Sequence, residues 1–317
     1  MTNLFEVVKS KAVTTTLLGL SLVVGVSAQP TITAVVNGAS FQLGSGLTSN
    51  TWISIFGTNL SLTTRTWGSS DFVNGALPRY MDNTQVQVKL CSTVNGTCGT
   101  PALAYIEYIS PTQVNMMIPE ALFVWNGVSQ IPIGGPVIQF TAYTAQGDSN
   151  AFLTPIQSVA PAFFTVAGSY VAARHSDGVL VGKTGLIPGV ASRPASPGEI
   201  IALYGTGFGP TSPQLPDNLL VTTPAPLTNC PVIEAVMAYC PVSVTFAQSD
   251  GTSGVSAEEE YAGLVESGLY QINVTVPNLP DGDTPIVAMV YTSLSCQPGL
   301  CYETTQTETG VSITIQQ

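Results

Sequence analysis

The chain has 317 residues, a net charge of −11 and only 9% charged side chains, against roughly 25% in ordinary soluble domains. So acidic a surface repels phosphate backbones, which excludes nucleic acid and anionic membrane surfaces as natural partners. With 44% hydrophobic residues the chain has material for two cores of ordinary domain size.

Met1 to Ala28 read as a secretory signal peptide. Lys9 and Lys11 form a basic start, Ala12 to Val26 is uncharged and mostly apolar, and Val26-Ser27-Ala28 supplies small residues for cleavage. The alternative, a retained anchor helix, has an apolar run shorter than the ~20 residues needed to span a bilayer. The expectation is an exported chain beginning at Gln29, secreted or held at a bacterial cell surface, with no membrane insertion after cleavage.

The first element after the leader is Ile53-Ser54-Ile55-Phe56-Gly57-Thr58-Asn59-Leu60, an alternating strand with Trp52 at its start. Gln85 to Leu90 alternates polar and apolar residues as a half-buried strand does. It leads to Asn95-Gly96, a hairpin-turn pair. Gln113-Val114-Asn115-Met116-Met117-Ile118-Pro119 closes the unit. The boundary falls at Ser158 to Thr165, where Phe163 and Phe164 are expected to plug an interdomain seam. Tyr170 to Val181 then reads as a small hairpin turning at Ser176-Asp177-Gly178, and Pro188 to Pro197 as an extended connector.

The same order then recurs. Ile201-Ala202-Leu203-Tyr204-Gly205-Thr206-Gly207-Phe208 matches the first strand, Val242 to Phe246 leads to Asp250-Gly251, and Gln271-Ile272-Asn273-Val274-Thr275-Val276-Pro277 matches the third anchor. Ala257 to Val265 is the most helix-like stretch, yet it aligns with the strand-like Leu103 to Ile109. Val311 to Ile315 reads as the last strand. The expected fold is all-β, two tandem immunoglobulin-like sandwiches: signal 1–28, first sandwich 29–160, a linker with a small hairpin 161–196, and second sandwich 197–317.

Six cysteines follow the leader as local pairs, Cys91/Cys98, Cys230/Cys240 and Cys296/Cys301. Fifteen connectivities are formally open; in an exported chain three short-loop disulfides are the simplest. Metal ligation is disfavoured, because no CxxC is present and His175 is the single histidine.

Gly57-Thr58-Asn59-Leu60 and Tyr204-Gly205-Thr206-Gly207-Phe208-Gly209 resemble the glycine-turn signature of IPT/TIG domains, an immunoglobulin-like family. With Val36-Asn37-Gly38-Ala39-Ser40-Phe41, Ser110 to Asn115, Ala160 to Phe164, Pro197 to Ile200 and Gly268 to Asn273, nearly all of the mature chain is similar to an uncharacterised C-terminal domain of secreted acidobacterial proteins. The resemblance implies a fold and a compartment and transfers no catalytic residue.

Signs of chemistry are sparse. His175-Ser176-Asp177 holds triad letters, but sequence neighbours in a turn do not build a triad, so it reads as a solvated hairpin tip. Glu258-Glu259-Glu260 and Asp281-Gly282-Asp283 are weak calcium candidates, Asp281 and Asp283 supplying too few of the six to eight oxygens calcium takes. No cofactor is expected. Trp67, Trp125, Tyr80 and Tyr108 are candidate ligand-stacking rings, each equally readable as a cap on the sandwich end. The functional expectation is a non-catalytic spacer or adhesive module. Its alternatives are a polysaccharide-binding module using those aromatics and, behind it, a glycan-active enzyme with two carboxylates. Candidate partners are extracellular polysaccharide or a surface protein.

Overall fold

A computed structural model of the protein describes residues 28–44, 46–120, 124–125, 128–129, 136–227, 242–247, 254–296 and 299–317. The signal-peptide reading of 1–28 therefore lies almost wholly outside the described residues. Among those residues there is no α-helix; one 3-10 turn, Ser69–Asp71, interrupts an all-β chain.

The first half comprises β1 (Thr31–Asn37), β2 (Trp52–Thr58), β3 (Arg65–Thr66), β4 (Gln85–Ser92), β5 (Ala102–Leu103), β6 (Tyr105–Ile109), β7 (Gln113–Met117), the pair β8 (Val124–Trp125) and β9 (Val128–Ser129), β10 (Pro136–Thr144), β11 (Gly147–Asp148) and β12 (Phe152–Pro155). One sheet runs β1-β2-β7-β6-β3 and the other β11-β10-β4-β5, with β12 also on β10. Alternation then decides what is inside. Ile53, Ile55, Val114 and Met116 of the first sheet meet Val86, Val88, Leu90, Ile138 and Phe140 of the second in one core, a β-sandwich.

The second half comprises β13 (Ala162–Phe163), β14 (Thr165–Val166), β15 (Tyr170–Val171), β16 (Ala173–His175), β17 (Leu180–Val181), β18 (Ser192–Arg193), β19 (Ile200–Thr206), β20 (Ala225–Pro226), β21 (Val242–Ala247), β22 (Gly254–Ser256), β23 (Glu258–Glu266), β24 (Leu269–Thr275), β25 (Gly282–Cys296), β26 (Gly299–Gln306) and β27 (Ser312–Ile315). Its sheets run β18-β17-β16-β19-β24-β23-β20 and β14-β15-β27-β25-β21-β22. Ile201, Leu203, Ile272 and Val274 face Val242, Val244, Phe246, Ile286 and Ala288 across its core.

The repeat in the sequence is a repeat in pairing. The order β1-β2-β7-β6-β3 returns as β16-β19-β24-β23-β20, and β10-β4-β5 returns as β25-β21-β22. Register repeats as well: Ile53 opposes Met116 and Ile55 opposes Val114, while Ile201 opposes Val274 and Leu203 opposes Ile272. A polar pair recurs with it, for the Gln113 amide donates to Asn115 Oδ1 at 2.7 Å and the Gln271 amide to Asn273 Oδ1 at 2.7 Å. Of the ambiguous stretch Ala257 to Val265, all but Ala257 falls in β23, on the same pairing as β6.

The shared glycine has a steric cause. A Cβ at Gly57 would sit 1.9 Å from the Thr31 carbonyl oxygen, and one at Gly205 would sit 2.4 Å from that of Ala162. In each half an earlier strand (β1, then β13) crosses so closely that only glycine fits. Two residues on, Asn59 and Gly207 both take left-handed backbone angles, φ 55° and 78°. The next residues, Leu60 and Phe208, then plug their respective cores.

Strands within the expected linker 161–196 join the second half's sheets: β13 and β16 pair with β19, and β14 reaches β27 through β15. Pro188 to Pro197 is likewise knitted in: β18 pairs with β17 in parallel and Ala195 bridges Ile315. The small hairpin is present, with Arg174 opposite Leu180.

Candidate functional site

Two features at the joint between the halves bring buried polar groups together. The first is an aromatic seam. Trp52 opens β2, and its side chain points away from the Ile53/Ile55 face, so the second half must cover it. That covering is specific: the Trp52 indole N–H donates to the Ser267 carbonyl at 2.8 Å and its backbone N–H to Thr206 Oγ1 at 3.1 Å. Around it pack Tyr105, Met117, Ala162, Phe164, Leu180 and Leu269. Trp67 meets Trp52 edge-on at 5.7 Å and Phe72 lies 5.1 Å from Trp67.

Tyr105 anchors the polar side of the seam. Its hydroxyl accepts from Arg79 at 2.8 Å and donates to Asp217 of the second half at 3.2 Å, with the guanidinium 4.9 Å over the ring. Burial pushes this phenol up to about 12. The other oxygen of Asp217 accepts the Glu120 N–H at 2.6 Å. Burial also pushes the Glu120 carboxyl above its ordinary value, against hydrogen bonds from Gln214 and Asn50.

The second feature is a polar cleft of about 490 Å³ on the joint. Asn37, Ser40 and Gln157 line it from the first half, Thr305 from the end of β26, and Thr307 and Glu308 from the segment that follows it. Glu308 Oε2 accepts the Phe163 N–H at 3.3 Å, while Oε1 is buried without a hydrogen-bond partner. Burial is the main reason its carboxyl rises from 4.5 to about 7. Nothing in Thr304-Thr305-Gln306-Thr307-Glu308-Thr309 signals this: it reads as a polar strand end, and the groups that bury Glu308 are remote in sequence.

The residues singled out from the sequence are scattered. Trp67 is half-buried in the seam, Tyr108 is half-buried on β6, and Tyr80 is exposed in a turn with its hydroxyl donating to Asn83. Trp125 lies on β8, its side chain outside the described residues. The Trp67 ring is engaged by Trp52 and Phe72.

Asp283 accepts from Lys183 at 2.6 Å, Tyr170 at 2.8 Å and Thr314 at 2.8 Å, and Asp281 accepts the Gln317 N–H at 2.9 Å. Asp283 is thus engaged in an ion pair and two hydroxyl bonds, and Asp281 in a backbone bond. Glu258 to Glu260 lie on β23, where alternation turns Glu259 inward to accept the Val244 N–H at 2.6 Å. Among the described residues no group of three or more His, Cys, Asp or Glu is placed to hold a metal ion.

The solvated-tip reading of His175 is overturned. Ser176 and Asp177 are exposed in the turn, but His175 is 3% exposed. Its Nδ1 lies 2.6 Å from Glu199 and its Nε2 donates to the Arg193 carbonyl at 3.0 Å. The ring bolts β16 to the segment leading into β19.

Of the three expected disulfides, Cys91–Cys98 is formed, a cross-strand staple with Cα atoms 4.0 Å apart. Cys230 and Cys240 lie outside the described residues. Cys296 and Cys301 fall on β25 and β26, with side chains outside them. Among the described residues no helix is long and apolar enough to cross a membrane.

No protein-family model matches the chain, and no curated protein matches it.

Proposed function

We propose that the chain is a non-catalytic, exported module, two IPT/TIG-like sandwiches locked end to end as a stiff spacer or adhesive element at the cell surface. The observation that carries this reading is the seam. Trp52, Tyr105, Met117, Ala162, Phe164 and Leu269 form a core that belongs to neither sandwich alone. Hydrogen bonds from Trp52 and Tyr105 fix its geometry. Interfaces between freely moving domains are more polar and leave relative motion as the default; a continuous apolar core removes it.

The reading is tested by small-angle scattering of the mature, oxidised chain beside a Trp52→Ala/Phe164→Ala variant. A single rigid envelope for the wild type and a broadened one for the variant support it; a hinged wild type overturns it. Retention of the wild type on insoluble polysaccharide or cell-wall fractions, lost on Trp67→Ala, would replace it with the carbohydrate-binding reading.

A further inference from the structure

The cleft on the joint has no part in a spacer, yet its chemistry is selective. Its volume of about 490 Å³ lies within the ~300–1,000 Å³ of small-molecule clefts. Such clefts are mostly apolar, whereas amides and hydroxyls from Asn37, Ser40, Gln157, Thr305 and Thr307 dominate here. Among the described residues no Lys, Arg or His lines it, and the chain as a whole is strongly acidic, so an anion has nothing to pair with.

The single charged group is Glu308. One oxygen is held by the Phe163 N–H, and the other is buried with no donor. A carboxylate oxygen withdrawn from water and left unpaired is costly, and a charged donor delivered to it removes that cost.

We infer that this cleft binds a small polyhydroxylated amine, of the amino-sugar class, with its ammonium paired to Glu308 and its hydroxyls bonded to the surrounding amides and hydroxyls. A neutral sugar satisfies the lining and leaves the carboxylate without a counter-ion. A simple alkylamine satisfies Glu308 and leaves the lining unpaired. The amino sugar satisfies both. The inference is independent of the spacer reading, since a hinged chain in scattering leaves a binding result untouched and a stiff chain without binding leaves the spacer intact.

The experiment is calorimetric titration of the mature, oxidised protein with glucosamine, N-acetylglucosamine and glucose at neutral pH. Saturable binding of glucosamine is expected, roughly tenfold or more tighter than the two neutral sugars, and Glu308→Gln should weaken it by a similar factor. Thermal unfolding checks that this variant is folded. Thr309→Tyr serves as a second variant, because Thr309 is exposed on the cleft lining and a larger ring there blocks entry without touching a core. No saturable binding of glucosamine, binding equal to that of glucose, or binding unchanged in every folded variant of the two would overturn the proposal.

Discussion

Glu308→Gln isolates one buried ionisation from everything else in the fold. The glutamine keeps an acceptor for the Phe163 N–H and copies the shape of the protonated acid. In the wild type, burial raises the carboxyl from 4.5 to about 7. Between those values the unfolded chain has released its proton while the folded chain still holds it. The folded state then binds more protons, so stability falls as pH rises from about 4.5 and levels off above about 7. That gap is worth ~3 kcal/mol at about 1.4 kcal/mol per pH unit. All other groups titrate alike in the two proteins, so the difference between them isolates Glu308. Urea unfolding from acid to mildly alkaline pH should therefore show the variant gaining ~3 kcal/mol on the wild type across this interval. Parallel profiles would refute the argument, because they would mean that water or a counter-charge already satisfies Oε1.

Three further outcomes follow from the packing. Trp52→Ala leaves a cavity in the seam and an unpaired Ser267 carbonyl, and should cost ~3–5 kcal/mol, with calorimetry showing one transition split into two. Gly57→Ala and Gly205→Ala each drive a methyl into a backbone carbonyl, at 1.9 and 2.4 Å. Each should destabilise by more than ~3 kcal/mol, read as loss of soluble protein or a sharply lowered Tm, whereas Gly68→Ala, with φ −126° and nothing nearer its added Cβ than Asp71 Oδ2 at 3.9 Å, should not clash. Replacing Cys91 and Cys98 by serine opens a loop with sequence separation 7 and should cost ~2–3 kcal/mol by loop entropy, measured by denaturant unfolding.

The sandwich was legible because period-two alternation is a direct record of two faces. Val86, Val88 and Leu90 declare an inside, and Asn95-Gly96 a turn, without reference to anything distant. The repeat was legible for the same reason, since strand register is carried by the same alternating residues in both copies. The seam was only half legible. Alternation places Trp52 on the outer face of its sheet but does not say what covers it. Phe163 and Phe164 show the limit well: as neighbours on extended chain they point to opposite sides, so Phe163 enters the second core and Phe164 the joint. His175 was misread because Glu199, the partner that justifies its burial, is remote in sequence. Glu308 carried no local sign at all.

The joint also explains why two equivalent strands begin so differently. The repeat aligns Trp52 with Ile200 and Met117 with Thr275, and each pair sits at the same register position at the end of its central strands. In the first half that end carries a buried tryptophan and methionine, because the second half docks there. In the second half the same end presents Ile200 at 47% exposure, a partly exposed Thr275 and an exposed Glu258. A head-to-tail contact of this kind uses different surfaces on its two partners and would propagate if both ends were sticky. Here the second copy of that end keeps an apolar Ile200 but carries Thr275 and Glu258 at the positions of Met117 and Tyr105. The prediction is that Ile200→Trp/Thr275→Met, which rebuilds the first half's docking residues on the second, gives concentration-dependent association in analytical ultracentrifugation where the wild type gives none; a variant that sediments like the wild type would show that the complementary surface on the first half is lacking.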